Sequence, residues 1–331
     1  MASEYSKHFT QADLDRIVLP FPDKTLYIIG NGFDMMHGVP SDYHQFRNFL
    51  GKDSEIRLAL EQYLTKEDLW ADFEDSLAHI DSRAMLNVVD DWLELYGVSD
   101  PSAQAADFFT AVESAVLPAQ IIRNGLPEQF RLWVDSLSPR PGERPLEKLL
   151  SREGSYLNFN YTEFLETLYD IPRSNILYIH GCRKDRNQEL VLGHAPGAED
   201  GLPLCEYGKS KAKEGPENKD RMIQEGRETA AHYIAHYEEA TTKHTHALIR
   251  ANRQFFRKQA DVRDVAVIGH SLCPVDYPYF REIIKNCENP ADVNWHISWY
   301  CEEDLKRSAR FAAEMHIRES QIELFKIPAQ K

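Results

Sequence analysis

Apolar positions along this chain follow two periods, and the change from one to the other marks out its elements. Leu26-Tyr27-Ile28-Ile29 is a continuous apolar run of strand formers that ends at once in Gly30-Asn31-Gly32. Such a run reads as a strand buried on both faces, the glycines turn the chain, and a helix is expected from near Asp34. Between Lys66 and Leu95 the period lengthens: Trp70, Phe73, Leu77 and Ile80 share one helical face, with acids opposite. Ala105, Phe108, Val112, Ala115, Ala119 and Ile122 make a second helical stripe. Pro127, Pro139, Pro141 and Pro145 then break regularity, and residues 139–145 read as a linker.

Strand character returns at residues 155–159, 176–179, 190–192, 265–268 and 293–300. Helical patterns occupy 219–258 and 277–285 and begin again near Asp304. Strands that alternate with helical stretches predict an α/β chain with a Rossmann-like, doubly wound, mostly parallel sheet. Residues 1–331 are expected to form a single domain, with large helical insertions at about 44–135 and 205–258 that cover a cleft or mediate assembly. In this architecture a ligand binds outside the carboxyl ends of the strands. Those ends are residues 30–34, 158–162, 180–181 and 269–272.

Composition narrows the partners. The chain of 331 residues carries 53 acids against 38 bases, a formal net charge of −15. That excess repels a phosphate backbone, so nucleic acid is an unfavoured partner. The most basic stretch, residues 209–219, is interrupted by Glu214 and Glu217 and reads as a solvated loop. The five cysteines, Cys182, Cys205, Cys273, Cys287 and Cys301, are widely spaced and odd in number, and no pair has C-x-x-C spacing. No metal site is predicted from them. Residues 1–24 carry charges throughout, unlike a signal peptide, and no run of about 18 apolar residues occurs that could cross a bilayer. A reduced, cytoplasmic chain without a membrane partner is the expectation.

Each strand end offers chemistry. Gly30-Asn31-Gly32, with Phe33 and Asp34 behind it, can bring backbone amides close to a pyrophosphate, although Met35 stands where a third fingerprint glycine would be. The other reading is a tight strand-to-helix turn without a ligand. Asn160 and Thr162 place an amide and a hydroxyl after the second strand; Asn160 suits a water or a ribose hydroxyl, and the segment suits a helix cap equally well. His180 ends a third strand and can move a proton near neutral pH, though a histidine there is often structural. Gly269-His270-Ser271-Leu272-Cys273 approaches the nucleophile elbow G-x-S-x-G, but Cys273 replaces the last glycine and Pro274 follows. His232 and His236 are four apart, with Tyr233 where a zinc protease carries glutamate.

Taken in order, these pieces resemble the AbiH family of bacteriophage abortive-infection proteins. Ile29-Gly30-Asn31-Gly32-Phe33-Asp34, His37-Gly38-Val39-Pro40, Phe159-Asn160-Tyr161-Thr162, Ile179-His180-Gly181 and Gly269-His270-Ser271-Leu272 with Asp276 carry the likeness. A more distant likeness is to the sirtuin fold, whose motifs G-A-G-x-S-x-x-x-G-I-P, T-Q-N-I-D, H-G and G-T-S-L occur in the same order. That likeness implies NAD or a related nucleotide as ligand or substrate. It places Gly30, Asn31, Gly32, Phe33, Gly38, Pro40, Gly269, His270 and Ser271 at the nucleotide. Asn160 and His180 then flank the nicotinamide ribose, with Asp34 as a carboxylate near the developing cation. Two positions depart from the pattern: Asp34 stands where sirtuins carry serine, and Thr162 where they carry aspartate. The paired C-x-x-C cysteines of the sirtuin zinc module are absent from the sequence.

Three functions follow as expectations. The first is an antiphage effector that binds, and hydrolyses, the N-glycosidic bond of NAD or a related nucleotide. The second is a non-catalytic nucleotide sensor acting through a homo-oligomer or a defence-system partner. The third, a nuclease, conflicts with the net charge and lacks a visible carboxylate cluster for Mg²⁺.

Overall fold

The apolar run that follows Lys24 becomes the centre of a seven-stranded sheet. The computed structural model describes residues 10–95, 105–140, 142, 144–195 and 217–327; Cys205 and the part of the basic stretch before Glu217 lie outside them. The strands are β1 (Thr10–Asp13), β2 (Thr25–Ile29), β3 (Ser155–Asn158), β4 (Ile176–Tyr178), β5 (Asp264–Ile268), β6 (Asn294–Trp299) and β7 (Ile322–Lys326). Their order across the sheet is β1-β7-β6-β5-β2-β3-β4, and every neighbouring pair is parallel. β2 pairs with β3 from Leu26↔Ser155 to Ile29↔Asn158, and with β5 from Thr25↔Asp264 to Ile29↔Ile268. All five residues of β2 and of β5 are buried, as a central parallel strand covered on both faces requires.

From β2 the chain steps outward to β3 and β4, then returns to the other side of β2 and steps outward through β5, β6 and β7. Right-handed crossovers that travel in opposite directions put their helices on opposite faces. The direction reverses between β2 and β5, and a parallel sheet opens a crevice at the carboxyl ends of its strands at such a point.

The chain divides into two compact units. The first, residues 1–42, 133–191 and 244–331, contains the sheet. Its core joins Leu26, Ile28 and Val267 of the central strands to Phe280, Trp295 and Phe311, and the rings of Phe280 and Phe311 lie 4.8 Å apart. The second, residues 43–132 and 192–243, is built mainly of helices. There Trp70 stacks on Phe73 with centroids 5.0 Å apart, and Phe46 meets Phe130 edge-on at 5.6 Å. The fully buried Lys243 ammonium is held by Glu74 at 2.6 Å, so this core carries its charge as a pair.

The structure corrects three expectations. Residues 190–192 form no strand: after β4 the chain folds back, and the Val191 amide donates to the His180 carbonyl at 2.9 Å while the Val191 carbonyl accepts from the Tyr161 hydroxyl at 2.9 Å. Pro127 does not break regularity. One helix runs Ala105–Ser136 through Pro118 and Pro127, because the buried stripe of Ala115, Ala119, Ile122, Leu126 and Phe130 outweighs about 3 kcal/mol per internal proline. β1 and β7 were invisible in the pattern, since Thr10-Gln11-Ala12-Asp13 has no apolar period and Ile322–Lys326 alternates only in part.

Where the chain leaves β2 and β5, the two loops touch backbone to backbone. The Gly32 amide donates to the Gly269 carbonyl at 2.8 Å, and the Gly30 amide donates to the Ile268 carbonyl at 3.0 Å. A Cβ on Gly32 would fall 2.7 Å from the Gly269 Cα. One on Gly269, whose φ is +63°, would fall 2.3 Å from the Phe33 nitrogen. Neither position accepts a side chain without parting the strands. Gly32→Ala is therefore expected to cost about 2–4 kcal/mol, from overpacking against rigid backbone. Gly51→Ala, at φ +80° with open space around it, should cost only the left-handed strain of about 1–2 kcal/mol. Urea unfolding of both variants measures the difference, and equal losses would contradict the interlock.

Candidate functional site

β3 delivers the polar side chains that meet the interlocked loops. The Asn160 amide nitrogen donates to the Gly30 carbonyl at 3.1 Å and to Asp34 Oδ1 at 2.9 Å. The Thr162 hydroxyl donates to Asp34 Oδ2 at 2.6 Å, and the Asn160 backbone amide is held by Asn158 Oδ1 at 2.9 Å. Asp34, Asn160 and Thr162 are all buried. Burial pushes the Asp34 carboxyl up to about 7, against the pull of its two hydrogen bonds from Thr162 and Asn160. Near neutral pH this group is thus poised between its two forms.

β4 and the loop after β5 build a second cluster beside the first. His180 Nε2 lies 3.4 Å from the Tyr279 hydroxyl and 4.0 Å from Asp276 Oδ1. The other oxygen of Asp276 lies 3.4 Å from His270 Nε2, and His270 Nδ1 accepts from the Leu272 amide at 2.9 Å. Phe159, the residue after β3, stands edge-on to both imidazoles, 5.2 Å from His180 and 4.4 Å from His270. Leu272 has φ +52°, a strained conformation for a side-chain-bearing residue that is found where the surroundings over-determine the backbone.

The residues singled out in the sequence divide by this geometry. Asp34, Asn160 and Gly30 meet in one cluster, and His180, His270 and Phe159 in the other. Ser271 is exposed on the loop above, and Pro40 is exposed beyond the first helix. Phe33 is buried, with its ring tilted 5.9 Å from that of Tyr169. Asn31 donates to the Ser41 carbonyl at 2.8 Å, and Gly38, at φ +71°, lies under the Arg140 side chain. The amides of Gly30, Gly32 and Phe33 donate to the carbonyls of Ile268, Gly269 and Gly30, so these three bind the chain's own oxygens. His37 is structural: its Nδ1 faces the Phe33 carbonyl at 2.7 Å and therefore donates, leaving Nε2 to accept from the Tyr169 hydroxyl at 2.7 Å.

Three contributors escaped the sequence reading. Tyr279 reaches His180 from the helix Tyr277–Asn286. Arg183 grips Glu163 with two hydrogen bonds of 2.7 and 3.0 Å and donates to the carbonyls of Val134 and Leu137 at 2.9 and 2.6 Å. It anchors the stretch that follows β4 to the one that follows β3. Asp276 was visible as part of a motif but not as the partner of two histidines; the odd spacing of Pro274 and Asp276 before a helix was its one signal. Among the described residues, no group of three or more His, Cys, Asp or Glu could hold a metal ion, and no helix is long and apolar enough to cross a membrane. None of the four described cysteines forms a disulfide.

The motifs that converge here span most of the chain, and so does their match to known sequences. A family model described as Bacteriophage abortive infection AbiH matches residues 26–299. The chain belongs to the AbiH family. No curated protein and no solved structure matches it. In AbiH terms, the match begins in β2 and ends at the last residue of β6, so it encloses all four strand ends of the site.

The Asp34 carboxyl supplies a pH test. Unfolded, it releases its proton near the ordinary value of 3.8; folded, it holds the proton up to about 7. Between those values the folded state binds the extra proton, so this group's contribution to stability is full below pH 4 and is lost as pH rises through 7. Asp34→Asn should remove that slope, gaining about 2 kcal/mol or more relative to wild type on going from pH 5 to pH 8. Urea titrations at the two pH values read this directly, and a pH-independent difference would show that Asp34 does not titrate in this window.

Proposed function

We propose that this AbiH protein acts in abortive infection through a sirtuin-like site that hydrolyses the N-glycosidic bond of NAD or a related nucleotide. The observation that carries the reading is that Asn160 and His180 follow the carboxyl ends of the neighbouring strands β3 and β4, beside the reversal point of the sheet. The order β4-β3-β2-β5-β6-β7 is that of Rossmann-type dinucleotide-binding sheets, which supports a Rossmann-like assignment. Asp34 and Thr162, the two departures from the sirtuin pattern, are hydrogen-bonded to each other at 2.6 Å. Relative to that pattern, carboxylate and hydroxyl have exchanged positions in the sequence. A raised pKa also lessens the repulsion that a carboxylate would impose on a phosphate.

The reaction breaks the bond between ribose C1′ and the nicotinamide nitrogen and forms one between C1′ and a water oxygen. Positive charge builds on the ribose as the neutral nicotinamide leaves. Asp276 and the ionised fraction of Asp34 favour that charge. Asn160, fixed by Asp34 and the Gly30 carbonyl, orients the attacking water, and His180 takes the proton from that water or from a ribose hydroxyl. The reading rests on this ribose end of the site, because the glycine-turn amides of Gly30, Gly32 and Phe33 are engaged within the chain.

One observation favours the second reading, a non-catalytic nucleotide sensor that signals through a partner or an oligomer. Asn160 and His180 are only 5% and 2% exposed, as in a site that a ligand must open. Purified protein incubated with NAD, with and without lysate of infected cells, separates the two. Hydrolysis predicts nicotinamide release by wild type and a loss of about 100-fold or more in His180→Ala and Asn160→Ala. Saturable binding by calorimetry with no release under either condition would transfer the assignment to the sensor.

A further inference from the structure

We propose that Asp276 is a positioning residue for His180, itself oriented by a relay that begins at the Leu272 amide and passes through His270. The role deepens the reading above, since it concerns the group that moves the proton. The Leu272 amide donates to His270 Nδ1 at 2.9 Å. A nitrogen that accepts from an amide carries no proton, so neutral His270 bears its hydrogen on Nε2. That nitrogen faces Asp276 Oδ2 at 3.4 Å. The nitrogen so oriented favours the ionised carboxylate, whose Oδ1 faces His180 Nε2 at 4.0 Å.

The relay is enclosed. Asp276 and His270 are 6% and 9% exposed, and Phe159 stands edge-on to both imidazoles. With little water between the groups, the Asp276 charge acts on His180 at short range. Among the described residues His180 is faced by Asp276 from the loop after β5, the Tyr279 hydroxyl at 3.4 Å from the following helix, and the Tyr161 ring at 6.4 Å from the segment after β3. The Asp276 carboxylate favours a proton on His180. Burial opposes that proton, and the Asp276 charge offsets the penalty. A histidine so placed accepts a proton at a pH where an isolated imidazole would have begun to let it go.

The test is the histidine titration of the full-length protein by ¹H–¹³C NMR, with His180→Gln identifying the His180 resonance. The expected wild-type midpoint lies above the ordinary value of about 6.5. Asp276→Asn should lower it by about one unit or more, and Tyr279→Phe by less, because only the former removes a charge. The ¹⁵N shifts should report His270 as the Nε2–H tautomer. An unmoved midpoint in Asp276→Asn, a larger shift in Tyr279→Phe, or an Nδ1–H tautomer at His270 would each overturn the relay. If Asp276→Asn does not fold, the wild-type midpoint decides, and a value at or below about 6.5 rejects the proposal. Nicotinamide release, measured in parallel, keeps the two readings apart: the expected titration without any release upholds the relay and rejects the hydrolase. With release, the acid limb of the pH profile should move down by the same interval as the titration.

Discussion

The site depends on the absence of two side chains. Gly32 and Gly269 let the loops leaving β2 and β5 approach until backbone touches backbone, and one hydrogen bond, Gly32 amide to Gly269 carbonyl, closes the contact. Strand pairing sets the height at which the two loops emerge, and the missing Cβ atoms set how closely they meet. Asn160 reads the result through the Gly30 carbonyl, and His270 begins its turn immediately after Gly269. Sequence here works by omission: a methyl group at either glycine would part the two halves of the sheet where the functional side chains converge.

Around this contact the polar groups form two clusters of different character. Asp34, Asn160 and Thr162 form a buried network whose one acid is held close to neutrality, so it can rigidify the loops at little electrostatic cost. His180, Asp276 and His270 place one carboxylate between two imidazoles, an arrangement suited to holding and moving a proton. Phe159 separates the histidines while touching both. The first cluster sets the shape of the site and the second its chemistry.

Much of the sheet was legible in the amino-acid pattern because central parallel strands must be apolar on both faces. Leu26–Ile29 and Val265–Ile268 announced themselves in this way, and their terminal glycines marked the loops. The edge strands did not: β1 and the residues around it carry no apolar period, and pairing with β7 alone defines it. The long helix was misread at Pro127 because local propensity speaks for the isolated segment, whereas the buried stripe acts only in the folded protein. At the site, motif order brought Asn160, His180 and Asp34 forward, but which group touches which was hidden. Contacts such as Asp34–Thr162 and His270–Asp276 depend on loop conformations, among them the left-handed Leu272, that no hydrophobic period encodes.

The interlock joins Gly32 to Gly269, two residues far apart in the sequence. A ribosome that has completed β2 cannot supply Gly269, His270 or Asp276 until much later in the message. Every fragment released before that point, whether by premature termination or by proteolysis, lacks the partner loop and with it the assembled cluster. The assembled cluster is thus withheld from incomplete copies by topology.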